Sequence, residues 1–159
     1  AAFVHASEIA KAAGRKVSVT LSDLFCVERH RESFLHLVEH HVDILFANEA
    51  EIVALYQTEN FETALAAARE VCPIVAVTRS EKGSVIAAGA ETITVKAEPV
   101  AKVVDTTGAG DQYAAGFLFG YATQRELAEC GRLGSVAAAE VISHMGPRPE
   151  TSLKALARI

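Results

Sequence analysis

Asp105-Thr106-Thr107-Gly108-Ala109-Gly110-Asp111 is the stretch of this chain whose residue types and spacing can do chemistry. Small apolar residues follow it at helical spacing, so the stretch opens a helix. Gly108 and Gly110 let the backbone turn tightly and approach a ligand. The N–H groups of a first helical turn have no intrahelical partner, and with the helix dipole they form an anion site. The expected anion hole is the backbone of Gly108, Ala109 and Gly110. Asp111 is out of place there, because an acid beside an anion site repels the anion. The task that suits it is general base, taking the proton of an alcohol that attacks a phosphoryl group. The ordinary structural alternative is a helix cap on a glycine turn with no ligand. Two other phosphate-binding patterns are absent. No G-x-x-x-x-G-K-[ST] occurs, and Tyr113 stands where a dinucleotide fingerprint needs its third glycine.

Further polar groups carry weaker signals. Asn48 and Glu51 stand at the distance of a capping box, which needs no ligand. Set at a strand end, the same pair can also serve phosphates or a metal. Thr78-Arg79-Ser80-Glu81-Lys82-Gly83 follows an apolar strand, and Ser22-Asp23 follows another. His36, His40 and His41 gather near Glu39, without the spacing of a third metal ligand, and read as a solvated face. Cys26, Cys72 and Cys130 are odd in number and widely spaced, which fits reduced thiols of a cytoplasmic protein.

The elements that must position these groups follow from the hydrophobic pattern. Helices are expected over 6–13, 28–40, from 48 onward, 61–71, 110–122, 125–143 and 151–158. Strands are expected over 17–21, 43–47 and 74–78, and a hairpin pairs SVIAAG with ETITV about Gly89 and Ala90. Leu127, Cys130, Gly134, Ala137 and Val141 form a narrow seam on their helix. Apolar strands alternating with amphipathic helices predict a three-layer α/β/α fold with a mainly parallel sheet. In such sheets ligands sit beyond the carboxyl ends of the strands. That rule gathers Asp23, Asn48 to Glu51, Thr78 to Gly83 and the glycine turn at one edge.

Taken together, these motifs resemble the C-terminal half of the ribokinase (PfkB) family of sugar and nucleoside kinases. DTTGAGDQYAAGF resembles the family's second signature, Asn48-Glu49-Ala50-Glu51 its Asn-x-x-Glu motif, and Thr78 to Gly83 its nucleotide loop. Ser80 departs from the glycine usual in that loop. Gly146-Pro147-Arg148-Pro149 resembles the segment that closes the nucleotide region. The ISHMGPRP ending is nearest to bacterial adenosine kinase-like members. The resemblance implies a ribokinase-like fold and transfer of the ATP γ-phosphoryl group to a hydroxyl of a sugar or nucleoside. It makes Asp111 the base and Gly108, Ala109 and Gly110 the anion hole. It assigns nucleotide binding to Asn48, Glu51, Thr78, Ser80, Gly83, Gly108 and Gly110. It implies Mg²⁺ held partly through water by the Asn48–Glu51 region, and K⁺ or another monovalent cation near Asp105 and Thr107; Asp23, which ends its strand on the same edge, is a further candidate for the Mg²⁺. The alternatives are a nucleotide-binding module without catalysis and an interaction domain whose glycine turn is structural.

Bulk properties narrow the field. Half of the 159 residues are hydrophobic and 22% are charged, with a formal net charge of −5. This is globular composition, and its sign disfavours a nucleic-acid partner. No apolar run is long enough for a membrane span and no signal peptide is visible. We expect residues 1–159 to be a single domain. We also expect them to be the nucleotide-binding piece of a longer kinase, since a helical pattern begins at once without an initiator Met. The substrate and lid portion is then missing, the isolated chain transfers phosphate poorly, and a homodimer of the full-length protein stays open.

Overall fold

The computed structural model describes residues 2–159. They form a ribokinase-like α/β fold with a mixed, mostly parallel five-stranded sheet in the order β1-β2-β3-β4-β5. The chain divides into two compact units, Ala1–Val77 with Ala87–Thr92, and Thr78–Ile86 with Ile93–Ile159.

The first unit carries α1 (Ala2–Ala12), β1 (Ser18–Thr20), α2 (Leu24–His40), β2 (Ile44–Asn48), α3 (Glu49–Tyr56), α4 (Phe61–Val71) and β3 (Ile74–Thr78), whose last residue falls in the second. β1 and β2 are parallel, with Val19 opposite Leu45. Ile44, Leu45, Val75 and Val77 are buried. α4 buries Phe61, Ala64, Leu65 and Ala68, the three-and-four spacing of one helical face. The caps explain where these helices start. Asn60 accepts the Thr63 N–H at 3.0 Å, and α4 begins where expected.

Several boundaries differ from expectation. α2 starts at Leu24 rather than 28, because Asp23 is its N-cap and accepts the Cys26 N–H at 2.8 Å. The helix bends at His30, whose backbone leaves the helical region. α1 starts before the alanine-rich run, and Ser7 inside it donates its hydroxyl back to the Phe3 carbonyl at 2.8 Å. Asp43, expected within a strand, instead ties β2 to the start of β1. Its carboxylate accepts the Val17 N–H at 2.8 Å and pairs with Lys16 at 3.3 Å and Lys11 at 3.5 Å. Burial pushes its pKa up, but these partners outweigh burial and the net shift is downward.

The second unit carries most of β4 (Ser84–Ala88), the end of β5 (Glu91–Val95), α5 (Ala109–Ala122), α6 (Leu127–Val141) and α7 (Leu153–Ala157). α6 and α7 are shorter than expected. Ile142 caps the end of α6 by donating its N–H to the Ala138 carbonyl, and Ser152 caps the start of α7. α5 and α6 pack closely through small residues. A side chain at Gly134 would put its Cβ 2.8 Å from the Tyr113 carbonyl oxygen, and one at Gly116 would meet the Leu133 backbone. Beyond the expected seam, α6 also buries Gly131, Leu133, Ser135 and Val136, because it is enclosed on more than one side. The Tyr113 hydroxyl meets the Ser84 hydroxyl at 2.7 Å, and burial pushes the Tyr113 pKa up to about 12. This buried bond fixes the first half of α5, the helix that carries the glycine turn. Among the described residues no helix is long and apolar enough to cross a membrane.

Candidate functional site

The turn before α5 is built on Gly108, the N-cap of the helix. Its φ is +79°, a left-handed conformation that side chains disfavour. A Cβ there would also lie 2.6 Å from Pro147 Cβ, so Pro147 occupies the place of the missing side chain. The helix begins with the Gln112 N–H donating to the Gly108 carbonyl at 2.9 Å. The Ala109 N–H donates to the Thr106 carbonyl at 3.2 Å and is spent within the turn. Ala109 is one of the three residues expected to form the anion hole, and here its N–H is engaged. Among the described residues the N–H groups of Gly108, Gly110 and Asp111 have no partner in the chain, and Ala109 is not one of the open donors. The left-handed residue folds the turn back on itself, and that internal bond is its consequence.

Asp111 is exposed and is the third residue of α5. Its carboxylate makes no hydrogen bond or ion pair with another described residue. It therefore does not cap this helix, whose N-cap is a glycine without a side-chain bond. Open N–H groups next to an unengaged carboxylate can bind an anion and accept a proton in one place.

Asp105 does different work. Oδ1 accepts the Thr107 N–H at 2.9 Å and Oδ2 accepts the Gly146 N–H at 3.0 Å. The hydrogen bonds from Thr107, then from Gly146, hold its carboxyl below the usual range. It clasps the glycine turn to the segment at 146–149. Gln112 Nε2 reaches the Pro147 carbonyl at 3.2 Å from the other side. The unit thus brings Asp105, Thr107, Gly108, Asp111, Gly146 and Pro147 together.

Thr78, Ser80 and Gly83 form a second feature of this unit. A 3₁₀ turn at Ser80–Lys82 is closed by the Arg79 N–H donating to the Gly83 carbonyl at 2.7 Å. Ser80 has φ +51°, so it adopts the left-handed conformation that a glycine would take more cheaply. Gly83 has φ +88° and is buried. A Cβ there would meet the Val95 carbonyl oxygen and lie 2.7 Å from Ala97 N. The glycine is thus required by the passage of the chain after β5, whatever the loop binds.

In the first unit Asn48 and Glu51 make a complete capping box. The Asn48 N–H donates to Glu51 Oε2 at 2.8 Å and the Glu51 N–H to Asn48 Oδ1 at 2.8 Å. Asn48 Nδ2 adds a bond to Glu51 Oε1 at 2.7 Å. Glu51 is buried, which pushes its pKa up; the Asn48 N–H opposes the rise and the Asp23 charge adds to it. The Asp23 charge, which raises the cost of ionising the buried Glu51, is one that a cation bound nearby would relieve. Asp23 itself is held below the usual carboxyl range by the Cys26 N–H. Glu51→Gln separates the two roles. Gln keeps the bond from the Asn48 N–H and loses the one from Nδ2, so unfolding should shift by only about 1 kcal/mol. A carboxyl whose folded pKa is raised above its ordinary 4.5 makes stability fall as pH rises through that window, and Gln should remove that fall. In the full-length protein Gln should raise the Mg²⁺ concentration needed for half-maximal turnover. An unchanged Mg²⁺ requirement would leave Glu51 as a cap only.

The histidines of α2 meet edge to face, with His36 and His40 ring centres 4.7 Å apart, on residues exposed to solvent. Three residues of the second unit escaped sequence reading: Gln112, Glu140 and His144. Glu140 left one trace, an acid inside the apolar run AAAEVI.

Residues 1–153 match the family described as pfkB family carbohydrate kinase. A cytidine kinase from Thermococcus kodakarensis is 34% identical over 142 residues, 84% of this chain and 49% of the relative. The crystal structure of adenosine kinase from Sinorhizobium meliloti is 53% identical, with a TM-score of 0.96 over 99% of this chain and 48% of that one. Arabidopsis thaliana ribokinase, solved with ribose and ATP, is 27% identical, with a TM-score of 0.83 over 99% of this chain and 52% of that one. The chain spans about half the length of the relatives it matches.

Proposed function

This chain belongs to the pfkB family of carbohydrate kinases, and on that premise we propose that the protein carrying it transfers the γ-phosphoryl group of ATP to a hydroxyl of a nucleoside or sugar. The observation that carries the proposal is the pairing of open N–H groups at Gly110 and Asp111 with the unengaged Asp111 carboxylate. The phosphates of ATP accept hydrogen bonds from those N–H groups, and the positive end of the α5 dipole favours them. Asp111 takes the proton of the acceptor hydroxyl as its oxygen bonds to the γ-phosphorus. The bond from that phosphorus to the β–γ bridging oxygen breaks, and ADP leaves with the electron pair. The same N–H groups stabilise the charge that develops on the transferring group. Mg²⁺, when bound, would neutralise charge on a nucleotide, and within the first unit Glu51 and Asp23 are the groups we assign to it, through water. The Thr78 to Gly83 loop is assigned to the nucleotide.

A nucleoside acceptor is favoured by the similarity to an adenosine kinase and a cytidine kinase. The test uses the full-length protein with ATP and Mg²⁺ and compares adenosine, cytidine, other nucleosides, ribose and fructose as acceptors. Calorimetric titration with a non-hydrolysable ATP analogue runs alongside. Phosphorylation of a nucleoside at kcat/KM well above that of the free sugars is expected. Nucleotide binding with no transfer to any acceptor would replace this reading with a binding module. Neither binding nor transfer would make the glycine turn structural.

A further inference from the structure

The last turn of α6 carries a carboxylate that the core does not need. Glu140 is buried, at 8% exposure. Its Oε1 accepts the N–H groups of both Glu150 and Thr151, each at 2.8 Å. Its Oε2 lies 3.3 Å from His144 Nε2, and His144 Nδ1 lies 3.8 Å from Glu150 Oε1. Burying a carboxylate is costly unless its lone pairs are satisfied, and here three groups satisfy them. One side chain thus closes the loop from 140 to 151 at both ends.

That loop contains Gly146 and Pro147. Pro147 fills the space beside Gly108, Asp105 holds the Gly146 N–H, and Gln112 holds the Pro147 carbonyl. Glycine visits left-handed and right-handed conformations with similar ease, so Gly108 does not choose +79° unaided. A neighbour seated against it must choose, and the neighbour is Pro147. What seats Pro147 from the far side of the loop is Glu140.

We infer that Glu140 is a positioning residue for phosphate transfer: it fixes the 144–151 segment so that Pro147 holds the Gly108 turn in the form that keeps the Gly110 and Asp111 N–H groups open. The inference rests on the function proposed above for that turn, but the placement of the turn can be measured without any activity. Glu140 touches no reacting atom and acts only through the loop.

The experiment compares Glu140→Ala, Glu140→Gln and Pro147→Ala with wild type in the full-length protein. Hydrogen exchange is followed at the Ala109 and Gln112 amides, the two that the turn protects. KM for ATP, KM for the acceptor and kcat are measured on the same samples. Glu140→Ala should speed exchange at both amides and raise KM for ATP about tenfold, with acceptor KM unchanged. Glu140→Gln should recover most of the effect, since its amide oxygen can accept the same two N–H groups. Pro147→Ala should speed exchange at the same two amides, and it decides the matter if Glu140→Ala does not fold. Wild-type exchange at Ala109 and Gln112 in the folded Glu140→Ala protein, or in Pro147→Ala, would overturn the inference. A wild-type protein that transfers no phosphate sinks the functional reading instead, and the exchange data still judge the loop.

Discussion

Asp111→Asn should lower kcat of the full-length protein by about 10²–10⁴-fold while leaving ATP affinity unchanged or slightly tighter. Asn has nearly the same shape as Asp but cannot accept the hydroxyl proton. It also removes a negative charge beside the phosphates. The fold should tolerate the exchange, because the Asp111 carboxylate bonds to no described residue and the helix is capped by Gly108. The cost to folding is limited to the interaction of one exposed acid with the helix dipole, about 0.3–1 kcal/mol. A purely structural Asp111 leads to the opposite result, with kcat near wild type. The measurement is kcat together with the dissociation constant of an ATP analogue, on a variant that melts within a few degrees of wild type. Loss of turnover with intact nucleotide binding assigns the base. Parallel loss of both would point to a disturbed turn.

How far the sequence revealed this arrangement depends on the distance between the partners. Asn48 and Glu51 are three residues apart, and their capping box was legible because helix starts are written locally. The bounds of α4 and the presence of β2 and β3 were legible too, from local apolar pattern. Family resemblance was legible from motif order. The start of α2 was misplaced because Asp23 also reads as the end of a strand, and only geometry shows it accepting from Cys26. The bond of the Ala109 N–H within the turn was not legible, because a glycine's φ is invisible in its name; at +79° Gly108 turns that N–H inward. The clasp from Asp105 to Gly146 spans 41 residues, and Glu140 acts across 10 and 11. No local pattern announces such bonds.

Gly83→Ala should destabilise the protein by about 3 kcal/mol or more, from two independent causes. The first is conformational. Gly83 has φ +88° and ψ −131°, a region that residues with a Cβ occupy only under strain, at about 1–3 kcal/mol. The second is steric. The new methyl group would run into the Val95 carbonyl oxygen and approach Lys96 C at 2.8 Å. These are backbone atoms at the end of β5, which cannot swing aside as a flexible side chain could. Overpacking of this kind adds about 1–3 kcal/mol. Denaturant unfolding of wild type and variant measures the sum, and ATP KM is read well below the variant's melting temperature. If the glycine serves the fold, the unfolding midpoint drops sharply and any rise in ATP KM follows the loss of structure. If it serves close approach to the nucleotide instead, stability stays near wild type and KM alone rises. Ser80 offers the contrast within the same loop. It already holds φ +51° with a side chain in place and is exposed, so Ser80→Ala should cost far less than the change three residues on.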